Sequence, residues 1–242
     1  RSSYSDPRSG DNLMRIPQIQ ALRAFAAILV VIYHAGITSG GYIGVDIFYV
    51  ISGYLITTNI LNGLNESTFT IQGFYQRRVR RIFPALVTML ALVYAFGWLV
   101  LLATEYRQLG KHVGSGASFI SNIILWQESG YFDTSSAVKP LTHLWSLGIE
   151  EQFYIVWPAI LIGLVVLKVP HKAMMGLIAI TIAVVAWHRN ELWNQGVSWL
   201  FLYIRTDTRV DSLLVGALFA LIYRHIRINR KLLNYSATIA FL

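Results

Sequence analysis

The feature that most constrains this chain is an uncharged apolar run of 22 residues, from Ile82 to Ala103. A helix of that length, rising about 1.5 Å per residue, spans a hydrocarbon layer of roughly 30 Å. A helix that is apolar on every side belongs either in a membrane or in the core of a large protein. A buried helix of a soluble protein is the poorer explanation at this length, and we interpret the run as a transmembrane helix.

The composition supports a membrane protein. Hydrophobic residues make up 55% of the chain and charged residues 13%, whereas roughly a quarter of the residues of a soluble domain are charged. The net charge is +8, but the basic residues lie between apolar segments rather than along one polar face, so no nucleic-acid partner is expected. The chain has no cysteine, which excludes a disulfide, a thiolate nucleophile and a cysteine-ligated metal. No metal site is expected.

Further apolar segments predict an all-α fold, a polytopic transmembrane helical bundle. Several segments are shorter than the roughly 20 residues of a lipid-facing helix, which predicts broken, re-entrant or internally buried pieces. Residues 1–15 predict a flexible cytoplasmic tail and residues 16–242 a membrane core. Because the chain starts without methionine and stops inside an apolar run, we expect it to be truncated before its last spans. The apolar segments are approximately residues 17–35, 43–61, 82–103, 144–167, 173–187, 197–204, 212–223 and 232–242, with a weaker one at 113–126.

The basic residues predict an orientation, because Lys and Arg are enriched in short cytoplasmic loops. Most of the 20 lysines and arginines fall on one side if the tail and residues 62–81, 168–172 and 224–231 are cytoplasmic. The span from Ile82 then runs outward, and the span that ends at Leu167 runs inward. The weaker segment between them is therefore expected to enter and leave by the outer face rather than to cross.

The first apolar segment carries Arg23 and His34, eleven positions apart. In a helix this spacing leaves them about 20° from alignment and separates them by roughly 16.5 Å along the axis, so they share one face. An arginine inside a membrane is costly and is by default a sign of function. The structural alternative has Arg23 extending to the inner interface and His34 hydrogen-bonded at the outer rim.

The second apolar segment carries Asp46 and Ser52 among glycines that allow close helix packing. Inside a membrane Asp46 needs a partner, for which His34 or an arginine is suitable. The alternative is that Asp46 only caps the outer start of the helix. Ser52 does not stand in the G-x-S-x-G elbow of serine hydrolases, so that reaction class is not favoured.

Four arginines lie within five positions before the Ile82 span: Arg77, Arg78, Arg80 and Arg81. One interpretation is a topological anchor on the inner side that contacts anionic membrane lipid. The other is a polyanion site, because guanidinium groups match phosphate oxygens in bidentate fashion. A nucleotide-bearing cofactor carries such phosphates.

The stretch HLWSLGIEEQFY places His143 and Glu150 two helical turns apart on one face, with Glu151 about 100° around the axis. A carboxylate can orient an imidazole or act as acid or base, so both glutamates are catalytic candidates. The alternative is a solvated helix start with favourable dipole placement.

Charges of both signs stand together in the stretch RTDTRVDSLLVG, just before the segment at 212–223. Local ion pairing among them would be structural, and this interpretation is slightly favoured over catalysis. The residues concerned are Arg205, Asp207, Arg209 and Asp211.

Together these stretches resemble acyltransferase family 3, the membrane acyltransferases that include bacterial O-antigen and peptidoglycan O-acetyltransferases. The resemblance extends from Arg23 to Gly216 and rests on five motifs in the family's order. The motifs are Arg23 and His34 in the signature R-x10-H, GVDIFYVISGYLI from Gly44, RRVRRIFPA from Arg77, LWSLGIEEQFY from Leu144 and DTRVDSLLVG from Asp207.

The resemblance implies an acyl-CoA donor, commonly acetyl-CoA, and a carbohydrate hydroxyl as acceptor, often on the far side of the membrane. It implies a location in the plasma membrane of a bacterium, with the N-terminus in the cytoplasm. It also implies more spans than this chain supplies, and in some members an appended extracellular domain.

Acyl transfer to a hydroxyl needs a base for the hydroxyl proton and stabilisation of the tetrahedral oxyanion. An imidazole suits the first task, because its unperturbed pKa of about 6.5 lies near operating pH. We expect His34 to be the general base, oriented by Asp46 or Glu150. Arg23 and the arginine run are expected to hold the phosphates of the donor.

Two other classes of protein stay open. A transporter or channel would use Arg23, Asp46 and Glu150 as an ion or proton path, and a silent scaffold would need no chemistry at all. Saturable acyl-CoA affinity separates the enzyme from both. The sequence also leaves open whether the acyl group moves directly or through a covalent intermediate on His34, Ser52 or a tyrosine.

Overall fold

A computed structural model describes residues 17–128 and 139–226 of the chain. Within these residues the chain forms nine α-helices and no β-strand, which confirms the all-α fold. The predicted tail at 1–15 and the apolar segment from 232 lie outside the described residues. The helices are α1 Pro17–His34, α2 Ile43–Asn65, α3 Ile71–Val100, α4 Ala103–Ala117, α5 Ser121–Glu128, α6 Leu144–Val166, α7 His171–Asn194, α8 Trp199–Ile204 and α9 Thr206–His225.

Helices α1, α2, α3, α6 and α7 are each long and apolar enough to cross a membrane. Their outward faces carry large apolar side chains that nothing in the described structure covers, among them Phe25 and Val31 on α1 and Leu99 on α3. A soluble monomer rarely exposes apolar surface on this scale. The structure thus has the character of a helical membrane bundle, as the sequence predicts.

Helix α3 begins earlier than the sequence predicts. Thr70 caps it, since its hydroxyl accepts a hydrogen bond from the Gly73 amide at 3.2 Å, and the helix continues through Pro84 to Val100. The four arginines therefore lie inside α3, in the part that precedes the apolar run from Ile82, rather than in front of a helix.

The weaker segment at 113–126 becomes parts of the two short helices α4 and α5. Helices α3 and α6 run in opposite directions, because Arg78 meets Glu151 while Tyr75, one turn earlier, donates to the Ile155 carbonyl at 3.0 Å. The end of α3 and the start of α6 consequently lie at the same end of the bundle. The connection through α4 and α5 leaves and returns at that end. This agrees with the prediction that the segment at 113–126 does not cross the membrane.

Helix α2 is the centre of the bundle, with α1, α6 and α9 packed around it. It runs parallel to α6, to which it is tied by a hydrogen bond from the Trp157 indole to the Thr57 hydroxyl at 2.8 Å. It also runs parallel to α9, where Arg224 donates to the Asn62 amide oxygen at 3.1 Å. One apolar core joins α2, α6, α7 and α9. A smaller core joins α3, α4 and α6.

Glycines allow α2 and α9 to touch backbone to backbone. A Cβ added to Gly53 on α2 would collide with the Leu213 carbonyl, and a Cβ added to Gly216 on α9 would collide with the Val50 carbonyl. Close approach through small residues is a common basis of helix association in membranes, where apolar burial between helices provides little driving force.

We predict that Gly53→Ala and Gly216→Ala each lower the free energy of unfolding by about 1–3 kcal/mol, the usual cost of overpacking. Gly176→Ala on α7 is the matched control, since a Cβ there meets nothing within 4 Å. Thermal unfolding of the three variants in detergent measures the difference. Equal stability of all three would contradict the close contact.

Candidate active site

A partly buried polar cluster joins α2, α3 and α6, and we call Ser52, Arg78, Glu150, Glu151 and Tyr154 the carboxylate cluster. The Ser52 hydroxyl donates to Glu150 Oε1 at 2.5 Å, and the Tyr154 hydroxyl donates to the same oxygen. Arg78 donates two hydrogen bonds to the Glu151 carboxylate, with Nε 3.1 Å from Oε2 and Nη2 2.9 Å from Oε1. The Arg78 guanidinium also lies over the Tyr154 ring. Four residues named as candidates from the sequence thus meet in one cluster, together with Tyr154.

The order of residues in α6 explains this arrangement. Glu150 and Glu151 are about 100° apart around the helix, so one turns towards α2 and the other towards α3. Tyr154 follows Glu150 by four positions and lies above it on the same face. Glu151 keeps only 9% of its side chain exposed, and a carboxylate so deeply buried requires a cation with matched geometry. Arg78 provides that cation.

A second ion pair joins α2 to α9. Arg209 pairs with Asp46, and the Ser212 hydroxyl donates to the same carboxylate oxygen at 2.9 Å. The Arg209 guanidinium lies 4.5 Å from the centre of the Tyr203 ring. Asp46 is therefore held by an arginine, one of the two partners expected for it, and does not contact His34.

The charges around the start of α9 pair locally in only one instance. Arg205 binds Asp207 through Nε at 2.9 Å and through Nη2 at 2.6 Å. Asp211 is bound instead by Arg189 of α7, whose Nη1 lies 2.7 Å from Oδ2 and 2.6 Å from the Thr208 carbonyl. The expectation of purely local pairing is thus wrong for Arg209 and Asp211, because their partners lie on other helices.

His34 is the last residue of α1 and is exposed. Its Nδ1 lies 2.8 Å from the Val30 carbonyl, one turn back in the same helix. A carbonyl can only accept a hydrogen bond, so in the neutral imidazole Nδ1 carries the proton and Nε2 carries the free lone pair. Neither Asp46 nor Glu150 contacts the ring, and the orientation expected from a carboxylate comes from the backbone instead.

His143 caps the start of α6 near His34. Loss of hydration lowers the pKa of its imidazole, a hydrogen bond to the Pro140 carbonyl opposes that shift, and charge on His34 lowers the pKa further. Glu150 lies seven residues further along α6, roughly 10 Å deeper. The carboxylate cluster therefore lies below the histidines rather than beside them.

Arg23 lies on the same continuous helix as His34, so the shared face predicted from their spacing is retained. The side chain is half-buried. Within residues 17–128 and 139–226 it makes no hydrogen bond or ion pair. An unpaired guanidinium in an apolar helix fits an anionic ligand.

The arginine run is divided between two environments. Arg78 is ion-paired with Glu151, whereas the side chains of Arg77, Arg80 and Arg81 are exposed on α3. The exposed guanidinium groups lie near the level of Glu151, roughly 12 Å along α6 from His143, on the side towards the start of α3. They could meet phosphate without breaking the buried pair.

A closed ring of hydrogen bonds that sequence reasoning missed holds α5, α6 and α9 together. Gln152 donates to the Asn122 amide oxygen at 2.9 Å, Asn122 to the Thr206 hydroxyl at 2.9 Å and Thr206 to the Gln152 amide oxygen at 2.6 Å. These three residues are far apart in the sequence, so no local sequence pattern predicts that they contact one another. Tyr154, also unassigned from the sequence, could have been found from its four-residue spacing to Glu150.

Across the described part of the chain, no three His, Cys, Asp or Glu residues are grouped so that they could hold a metal ion.

Comparison with known proteins identifies relatives. The family model described as "Acyltransferase domain" matches residues 16–242. The peptidoglycan O-acetyltransferase OatA of Listeria monocytogenes is 34% identical over 240 residues, which is 94% of this chain and 38% of that protein. The O-acetyltransferase OatA of Staphylococcus aureus is 33% identical over 86% of this chain and 35% of its own length. An uncharacterized protein of Haemophilus influenzae is 31% identical over 81% of this chain and 83% of its own length.

The chain thus spans little more than a third of the two O-acetyltransferases that it matches. No solved structure matches it.

We predict that Arg78→Ala and Glu151→Ala each lower the free energy of unfolding by about 3–5 kcal/mol, because each leaves the other charge buried and unpaired. The double variant should lose less than the sum of the two, since it leaves no lone charge. Arg77→Ala, at an exposed neighbour on α3, should change stability by less than about 0.5 kcal/mol. Denaturation in detergent measures all four variants, and strictly additive losses would show that the pair is not coupled.

Proposed function

The chain belongs to the acyltransferase family whose model it matches, and from this premise we propose that it transfers an acyl group, most simply acetyl, from acyl-CoA to a carbohydrate hydroxyl. The names of two relatives, both O-acetyltransferases, support the reaction. The single observation that carries the chemistry is the hydrogen bond between His34 Nδ1 and the Val30 carbonyl. It leaves Nε2 as a basic nitrogen at the exposed end of α1.

His34 then acts as the general base of the reaction. Nε2 takes the proton of the acceptor hydroxyl while the hydroxyl oxygen attacks the thioester carbonyl carbon. The resulting tetrahedral oxyanion collapses, the carbon–sulfur bond breaks, and the departing thiolate of coenzyme A receives the proton from His34. The acyl group ends on the carbohydrate oxygen, and free coenzyme A is the second product.

Arginines hold the donor in this proposal. Coenzyme A carries several phosphate groups, and guanidinium groups bind phosphate oxygens in bidentate fashion. Exposure of Arg77, Arg80 and Arg81 on α3 supports a phosphate site there, and the half-buried Arg23 supports a further anionic contact along α1. Arg78 has a different role, because its pair with Glu151 fixes α3 against α6.

The remaining carboxylates serve the reaction indirectly. Glu150 accepts hydrogen bonds from two hydroxyls and holds Ser52 and Tyr154 in place, and Asp46 positions Arg209. We propose that both maintain the passage between the arginines and His34. Asp46 is already paired with Arg209, and Glu150 is bound by two hydroxyls, so the transporter alternative gains no specific support.

We propose a plasma-membrane location with the N-terminus and the start of α3 on the cytoplasmic side. This orientation follows from the enrichment of Lys and Arg on that side. His34 and His143 then lie at the outer end, where an envelope glycan is available as acceptor. Acyl-CoA is supplied from the cytoplasm, next to the exposed arginines.

The test compares His34→Ala with Arg23→Ala in the full-length protein, purified and reconstituted. His34→Ala should keep acyl-CoA affinity yet lose transfer by about 10² to 10⁴, the usual scale for removal of a general base. Arg23→Ala should weaken donor binding, and Arg23→Lys should recover part of it if charge matters more than fork geometry. Donor titrations and acceptor turnover are measured for each.

His171→Ala is the matched control, because His171 starts α7 at the end of the bundle away from His34. It should behave as the parent protein does. Near-normal transfer by His34→Ala would remove the catalytic assignment and leave the structural interpretation of this histidine.

A further inference from the structure

A cleft of about 440 Å³ opens between the end of α7, helix α8 and the start of α9. Its volume lies in the range of small-molecule sites, which is roughly 300–1,000 Å³. No residue of the proposed reaction centre or of the arginine run lines it. Its lining includes Arg189, Asn190, Trp193, Trp199, Tyr203 and Arg209.

Three aromatic rings give the cleft apolar walls beside polar groups. Trp193 is 56% exposed and Trp199 is 47% exposed, so their surfaces are free to pack against a ligand. A large aromatic ring offers an apolar face and, in tryptophan, an N–H donor at its edge. A sugar ring matches such a wall, because one of its faces is formed by C–H groups while hydroxyls project around its rim.

Charge in the cleft is already balanced. Arg189 pairs with Asp211, and Arg209 pairs with Asp46. Both guanidinium groups are therefore already neutralised by carboxylates. A cleft whose guanidinium groups are neutralised favours a neutral polyhydroxyl ligand over a phosphate-bearing one. It is therefore poorly suited to coenzyme A.

Contacts between aromatic rings connect the cleft to His34. Tyr203 donates to the Tyr42 carbonyl at 2.9 Å and packs edge-on against the Tyr42 ring. Tyr42 packs against Tyr33, and the Tyr33 ring meets the His34 imidazole with their centres 5.3 Å apart. The cleft thus lies at the same end of the bundle as the proposed base.

We propose that this cleft binds the carbohydrate acceptor, as a neutral oligosaccharide stacked on Trp193 and Trp199 with a hydroxyl bonded to Asn190. The inference rests on the proposed function, because it gives that function its acceptor subsite. The bound sugar extends from the cleft along the Tyr203 and Tyr42 rings, and its reacting hydroxyl comes to Nε2 of His34.

The test uses the full-length protein in nanodiscs and a radiolabelled N-acetylglucosamine tetramer as the probe. Equilibrium dialysis gives the dissociation constant without turnover, and a transfer assay with acetyl-CoA gives KM and kcat. Trp193→Ala should raise the dissociation constant and the acceptor KM about 3- to 10-fold, as expected for loss of one stacked ring. Donor KM and kcat should stay within about twofold. Asn190→Ala should act in the same direction.

Trp187→Ala is the matched control, because Trp187 is exposed on the same helix but outside the cleft. If tryptophans here only anchor the helix at the membrane interface, Trp187→Ala and Trp193→Ala will change binding equally, and the inference is overturned. Unchanged tetramer affinity in Trp193→Ala also overturns it. Absence of transfer by the parent protein would count against the proposed function alone, since tetramer binding and its dependence on Trp193 are measured separately.

Discussion

In the described part of the chain, three carboxylates each pair with an arginine from another helix, and these pairs determine which helices pack together. Glu151 joins α6 to α3 through Arg78, Asp46 joins α2 to α9 through Arg209, and Asp211 ties α9 to α7. In an apolar surrounding an unpaired charge costs several kcal/mol, so a different helix arrangement would have to find other partners for all of them. Glycine contacts between α2 and α9 then set how closely the helices approach.

The same pairing separates structural charges from functional ones. Arg78, Arg189 and Arg209 each hold a carboxylate and stabilise the fold, whereas Arg77 and Arg80 are exposed on α3. We propose that these two and Arg23 bind the anionic donor. Only one imidazole nitrogen of His34 is occupied by the backbone, which leaves the other for proton transfer. In the proposed reaction, the donor site, the base and the acceptor cleft therefore lie in one bundle.

The sequence predicted the helices better than it predicted their contacts. Apolar length alone gave α1 as residues 17–35, against Pro17–His34 in the structure. The start of α3 was missed because residues 71–81 are polar and carry no hydropathy signal. Asp46 and Arg209 are 163 positions apart, so their pairing depends on how α2 and α9 pack. For the same reason the sequence could name Glu150 and Glu151 as candidates, but it could not show that Glu150 contacts α2 and Glu151 contacts α3.

The central claim is that the donor reaches the bundle from one side of the membrane and the acceptor from the other. Proteoliposomes that contain the full-length protein in one orientation test it directly, with acetyl-CoA enclosed on the side of the α3 arginines and the N-acetylglucosamine tetramer supplied only on the side of His34. The account predicts that acetylated tetramer forms on the His34 side at the rate at which coenzyme A is released inside. Transfer only when both substrates share one compartment would contradict it.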